Sequence, residues 1–233
     1  MIEIIDFGIS KYGEILEIQE SLFRQLTEAK KYQQEKKEAI LIGEHYPVVT
    51  LGRRAYEENV LVSDSDLKSN GIDIYHVGRG GDVTYHGPGQ LIVYPIIDLE
   101  KYRLGVKDYV NILEETVVRL LKSYGIKGER IEGATGVWIG KGSDTERKIS
   151  AIGVKCSRYC TMHGISLNVN CDLSGFNLIN PCGFKDKGVT SMQREVLINE
   201  NKDLVEMNKI KQEFLDIFLS LIFPLKEVFN FSK

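Results

Sequence analysis

No apolar run in this chain is long enough, uninterrupted by charge, to cross a bilayer, and the opening MIEIIDFGIS lacks the basic stretch and apolar core of a secretory leader. Both absences lead us to expect a cytoplasmic protein. Cysteine is scarce as well: Cys156, Cys160, Cys171 and Cys182 crowd into one stretch with no CxxC spacing, poor material for a disulfide framework. Free thiols are expected. No charge of one sign dominates, since 30 basic residues face 33 acidic ones for a net charge of −3. A single Arg-Gly-Gly in an acidic chain is weak support for nucleic-acid binding, so no nucleic-acid partner is expected. Repeats and low-complexity linkers are missing too. What remains, at 42% hydrophobic and 27% charged residues, is the composition of one globular domain over residues 1–233.

Hydrophobic spacing supplies the elements. Ile15, Ile18, Leu22, Leu26 and Ala29 recur at helical intervals before the polar run KKYQQEKKEA. AILIGEH and PVVTLG read as short buried strands around Pro47, and SDSDLKSNG as a short helix that Gly71 can end. From Ile72 to Leu99 we expect strand, glycine-rich turn, strand, loop, strand. Val106, Val110, Leu113, Val117, Leu120 and Tyr124 predict a helix stopped by Gly125. GVWIG, KISAIGVKC and MHGISLNVN are β-branched and punctuated, which suggests hairpin-linked strands, with GKGSDTERK as an exposed turn. Leu204, Ile210, Phe214, Ile217, Phe218 and Leu221 support a last helix ending near Pro224. The fold class expected is α/β (α+β), a mixed sheet flanked by helices.

Two segments could carry chemistry. In RGGDVTYHGPGQ, Arg79 to Gln90, five of twelve residues are Gly or Pro, so a ligand could lie against main-chain amides while Arg79, Tyr85 and His86 offer polar groups. The same composition also suits a tight hairpin with a satisfied histidine. It is no Walker loop, because GK[ST] is missing. In NPCG, Asn180 to Gly183, Cys182 sits between a rigid residue and a permissive one, where a thioester oxyanion could meet a main-chain donor. A nucleophilic thiol needs a cation to favour thiolate, and Lys148, Lys155, His86 and His163 are the candidates; an inert loop cysteine is the alternative. Cys156, Cys160, His163 and Cys171 could be read as metal ligands, but Cys156 and Cys160 are expected on one face of one strand, where core packing is the better reading. No metal is expected. His163 is expected at a strand entrance, as a functional group or a structural hydrogen bonder.

Taken together these motifs resemble the lipoyl(octanoyl) transferase family. Its signature RGG-x-x-T-[FY]-HGPGQ is matched at Arg79 to Gln90, its lysine motif by KISAIGVK from Lys148, its HG-x-[AS]-LN by HGISLN from His163, and its nucleophile motif by NPCG. They come in the family's order within residues 41–192, with Ser150 where Ala is common and a longer turn before Lys148. The resemblance implies the catalytic fold shared with lipoate- and biotin-protein ligases. It also implies octanoyl transfer from octanoyl-acyl carrier protein to a lysine of lipoyl domains, those of the 2-oxoacid dehydrogenases and the glycine cleavage H protein. By the same carry-over Cys182 is the nucleophile and Lys148 its partner. Arg79, Gly80, Gly81, Asp82, Val83, Thr84, Tyr85, His86, Ala151, Ile152, Gly153, Gly164, Ile165 and Ser166 line the acyl pocket, with His163 as an auxiliary group. No ATP or other cofactor is implied, and nothing calls for more than a monomer. Arg147, Lys155, Arg158, Lys185, Lys187 and Arg194 cluster in sequence around both catalytic motifs and are expected to form a docking face for an acidic carrier. The competing readings are an ATP-dependent lipoate- or biotin-protein ligase and a non-catalytic acyl- or lipoyl-domain-binding protein.

Overall fold

The computed structural model describes residues 2–35, 37–180, 188–198 and 205–223. Strand β1 (Ile2–Ser10) leads into helix α1 (Tyr12–Lys31), whose buried residues Tyr12, Ile15, Gln19 and Leu26 fall on one face. Strands β2 (Glu38–His45) and β3 (Val48–Leu51) flank Pro47. Helix α2 (Asp64–Ser69) is capped by the Ser63 hydroxyl, which accepts from the Asp66 amide. Strands β4 (Asp73–His76), β5 (Val83–His86) and β6 (Gln90–Ile96) follow, then helix α3 (Val106–Ser123). Beyond it come β7 (Glu129–Ile131), β8 (Ala134–Ile139), β9 (Arg147–Ser157) and β10 (Cys160–Asn168). The short strand β11 (Gly188–Val189) and helices α4 (Met192–Ile198) and α5 (Met207–Ile222) complete the described chain.

Eight strands form a mixed sheet in the order β1-β2-β6-β10-β9-β8-β7, with β11 paired to β9. The β1–β2 and β11–β9 pairs are parallel and the rest antiparallel. The centre of this sheet is buried on both faces, which explains the unbroken apolar runs of β2 and β6. Their side chains sort by the period of two. Ile40, Ile42, Leu91 and Val93 join the main core with residues of α3, α4 and α5, whereas Leu41, Ile92 and Tyr94 pack with Ile15 and Leu26 beneath α1.

The expected mixed sheet flanked by helices is present, but the strands around the glycine-rich turn do not all enter it. β4, β3 and β5 form a separate three-stranded sheet with its own core of Val49, Leu51, Leu67, Val83, Tyr85 and Phe176. Residues of both sheets line one cleft.

Several local expectations need correction. The N-terminal segment is an edge strand that its sequence did not announce, because Ile4 and Ile9 stay exposed and break the alternation. Ile18, counted in the helical pattern of α1, is 41% exposed. Cys156 and Cys160 do not share a strand. Arg158 and Tyr159, at φ 50° and 63°, make a two-residue hairpin turn of the kind that matches strand twist, so Cys156 is next to last in β9 and Cys160 begins β10. His163 lies within β10, not at its entrance. The last helix begins at Met207, and Leu204 falls outside the described residues.

Candidate active site

The site is built around β9. Its first residues pair with β8 through Val137–Ser150, Trp138–Lys148 and Ile139–Arg147. Past Ser150 the pairing with β8 stops, and there the Gly80 amide donates to the Val154 carbonyl at 2.9 Å. The glycine-rich turn is thereby docked on β9. Two positions must lack side chains for this approach. A Cβ on Gly153 would stand 2.9 Å from both Arg79 Cδ and the Gly80 carbonyl, and one on Gly52 would stand 2.5 Å from the Gly81 carbonyl.

Arg79 fixes the turn from within. Its Nη2 donates to the Thr50 carbonyl (2.8 Å) and hydroxyl (2.9 Å), and its Nη1 to the Gly80 carbonyl (3.0 Å). Asp82 ties the same turn to the loop after β3: its carboxylate accepts from the Tyr56 amide, the Asn59 side chain (2.7 Å) and the Val83 amide (2.8 Å). This carboxylate is a brace for the turn.

Between the turn and the sheet lies a cleft of about 790 Å³. Arg79, Gly80, Gly81, Asp82, Val83, Thr84 and His86 line it from the turn and β5, Lys148 and Ala151 to Gly153 from β9, and His163 to Ser166 from β10. Tyr85 turns the other way: its ring packs edge-on to Phe176 in the smaller core. Cys182, Lys185 and Lys187 lie outside the described residues.

Lys148 is buried in the cleft wall. Its Nζ donates to the Thr135 carbonyl at 3.3 Å and stands 4.6 Å from the centroid of Trp138, its cross-strand partner. The register of β8 shifts between Val137 and Trp138, and Gly136 takes φ 118° with its amide held by the Glu114 carboxylate at 2.9 Å. Such an irregularity re-aims a neighbouring side chain. Lys155 goes elsewhere, its ammonium 5.1 Å from the Phe23 ring on α1, so of the two motif lysines only Lys148 lines the cleft.

One end of the cleft is aromatic and imidazole-rich. Gln90 Nε2 donates to the Tyr85 carbonyl (3.2 Å), which leaves Oε1 to accept from His86 Nδ1 (2.9 Å). His86 therefore carries its proton on Nδ1 and keeps Nε2 as an acceptor. Burial, reinforced by His45, pulls its pKa down to about 3. Burial and then the Arg79 guanidinium hold His163 at about 3. His163 also has φ 58°, and its amide donates to Gln19 of α1 (3.2 Å). Continuing the β6–β10 register puts Pro95 opposite it, and a proline has no N–H for the ladder.

Three groups at this end escaped sequence reasoning. Tyr12 and Tyr94 line the cleft, and His45 packs behind them, donating from Nδ1 to the Ser10 carbonyl (3.1 Å) and accepting the Tyr94 hydroxyl (3.0 Å). Burial lowers the His45 pKa to about 4 and raises that of Tyr12 to about 12. A polar residue closing the apolar run AILIGEH was the available signal. Arg53 and Arg54, also unforeseen, stand exposed in the cleft lining.

The remaining cysteines do not converge. Cys156 packs against the main core, Cys160 belongs to the core beneath α1, and among the described residues no three His, Cys, Asp or Glu groups are placed to hold a metal. The expected basic docking face also loses members: Arg147 Nε and Nη2 donate to the Glu195 carboxylate (2.7 and 2.6 Å), and Lys155 is taken up by Phe23.

The chain is similar to known proteins in both sequence and fold. The Lipoyl protein ligase A/B catalytic domain matches residues 11–219. An octanoyltransferase of Parabacteroides distasonis is 46% identical over 91% of this chain and 96% of its own length. One from Bacteroides thetaiotaomicron is 47% identical over 90% of each. Among solved structures, a lipoate-protein ligase A bound with ATP superposes at TM-score 0.66 with 17% identity, covering 94% of this chain and 85% of that one. The biotin protein ligase of Aquifex aeolicus does so at 0.53 with 13% identity, covering 97% and 72%. At such identities the structural likeness speaks for the fold. Among the described residues no helix is long and apolar enough to cross a membrane.

Proposed function

Because this chain belongs to the lipoyl protein ligase A/B catalytic domain family, we propose that it is an octanoyltransferase acting in protein lipoylation, with residues 1–233 as one catalytic unit. The observation that carries this reading is the 46% identity with an octanoyltransferase along almost the whole of both chains. The donor is octanoyl-acyl carrier protein and the acceptor a lysine of a lipoyl domain.

The reaction runs through Cys182 and Lys148. The Cys182 thiolate attacks the donor carbonyl, an octanoyl-cysteine thioester forms, and the carrier's sulfur leaves with a proton from the Lys148 ammonium. The acceptor amine then attacks the new thioester. Its surplus proton passes to the neutral Lys148, the amide is released, and the ammonium–thiolate pair is restored. Chain connectivity supports this pairing: six residues after Cys182, Gly188 enters β11, where Val189 is the register partner of Lys148. A thioester exchanged for a thioester is nearly isoenergetic and the final amide is more stable, so the chemistry calls for neither ATP nor a metal. The cleft would hold the acyl chain, where each buried methylene is worth about 0.8 kcal/mol.

The test is an intact mass after incubation with octanoyl-acyl carrier protein and no ATP. Wild type gains one octanoyl group and passes it to an apo lipoyl domain, Cys182→Ser gains none, and Lys148→Ala slows transfer at least a hundredfold. Acylation of the acceptor from free octanoate and ATP, with none from the thioester, would establish the ligase reading instead. Capture of the donor without release of free carrier would leave a binding protein.

A further inference from the structure

The cleft carries two cations that the mechanism above does not use. Arg53 and Arg54 follow β3, and both contribute to the cleft lining while remaining exposed to solvent. Their backbones are pinned to the glycine-rich turn, the Arg53 amide donating to the Arg79 carbonyl (3.0 Å) and the Arg54 amide to the Gly81 carbonyl (3.2 Å). Their side chains are committed to nothing: among the described residues neither guanidinium has an ion-pair or hydrogen-bond partner. The carboxylate of the turn, Asp82, is occupied by the Tyr56 and Val83 amides and the Asn59 side chain. Glu57 and Glu58 come next in sequence, but neither lines the cleft. Beside the pair Tyr56 is 68% exposed, an apolar surface at the same rim.

Two adjacent, unneutralised guanidinium groups at the rim of a cleft whose reacting lysine is buried form a receptor for an anion that stays outside while an uncharged arm reaches in. Guanidinium binds phosphate through paired, charge-assisted hydrogen bonds. On the octanoyltransferase reading, the donor's thioester ends an uncharged pantetheine arm whose other end is a phosphodiester. We propose that Arg53 and Arg54 bind this phosphodiester and so set the depth to which the arm enters, with Tyr56 covering its apolar part. They act as specificity residues for the donor, and transfer to the acceptor does not require them.

Three thioester donors separate the sources of negative charge: octanoyl-pantetheine without phosphate, octanoyl-phosphopantetheine, and octanoyl-acyl carrier protein. For the double variant Arg53→Gln/Arg54→Gln, the KM of both phosphate-bearing donors is expected to rise roughly ten- to a hundredfold, the range of one or two lost charge-assisted bonds. KM for octanoyl-pantetheine should change less than twofold, which also reports that the variant is folded. Added salt should weaken the phosphate-bearing donors on wild type and do little on the variant. A penalty confined to the carrier protein would assign the arginines to the carrier's acidic surface and overturn the proposal, as would an equal penalty, or none, for all three donors. A wild type inactive with every thioester, yet active with octanoate and ATP, would remove the transferase reading and this inference together. A wild type active on thioesters and a variant indifferent to phosphate would remove this inference alone.

Discussion

A cysteine attacks a thioester only as its thiolate, and two of the three described cysteines are held away from that form. Burial pushes the Cys171 thiol up to about 12 and raises that of Cys156, while Cys160 is fully enclosed beneath α1. Alkylation at neutral pH should therefore find Cys182 alone. Iodoacetamide at pH 7 is expected to add one label to the wild type and none to Cys182→Ser over the same interval, read by intact mass and peptide mapping. A label on Cys156, Cys160 or Cys171 in the native protein would show that burial does not protect them. The charge partner of that thiol could be narrowed only so far from the chain itself. Lys148 and Lys155 stand in the same motif, and alternation along the strand could not separate them, because β9 carries an extra residue between Lys148 and Ser150 where it pairs with β8. Which of the two enters a cleft depended on where α1 packs, and that is a tertiary fact.

At the scale of elements, the docking of the glycine-rich turn on β9 makes Gly153 a sensitive position. A valine there would drive its Cβ into Arg79 Cδ and the Gly80 carbonyl, both 2.9 Å away, so the turn must lift off. Overpacking of this kind costs about 1–3 kcal/mol, and the larger loss is in geometry. Gly153→Val should lower kcat/KM at least tenfold, whereas Gly78→Ala, whose Cβ would meet nothing nearer than Lys155 Cδ at 3.4 Å, should stay near wild type in activity and melting temperature. Equal behaviour of the two variants would mean that the turn does not depend on this contact. Helix α3 and strands β2, β6 and β8 to β10 were legible because their apolar periods are imposed by burial. Strand β1 and the division into two sheets were not. The first lies at an edge with exposed isoleucines, and the second is a matter of which strands pair, for which alternation holds no code. The site followed the same rule. Residues inside contiguous motifs could be named, but Tyr12, His45, Arg53, Arg54 and Tyr94 reach the cleft or its backing from elements that are distant or locally unremarkable.

For the whole molecule, the imidazoles at the cleft's aromatic end tie the two sheets together. His45 comes from β2, His86 from β5 and His163 from β10; the His45 and His86 rings lie 6.3 Å apart, and Tyr12 of α1 is within 6.5 Å of both. All three are neutral in the folded state, with pKa values of about 4, 3 and 3 set chiefly by burial. In the unfolded chain each returns to about 6.5. Between pH 6.5 and about 4 the unfolded state thus binds more protons than the folded one, so stability rises with pH and is lost as the solution is acidified. Three such groups give a slope that approaches about 4 kcal/mol per pH unit near pH 5, before most carboxylates begin to titrate. Denaturant midpoints measured at pH 7, 6 and 5 should fall accordingly. Replacing His86 with Gln removes one of the three protons, and the slope between pH 6 and 5 should drop by about a third even where the variant is less stable overall. An unchanged slope would mean that His86 takes up its proton in the folded state, and with it that the two sheets part at this end to let water reach the ring.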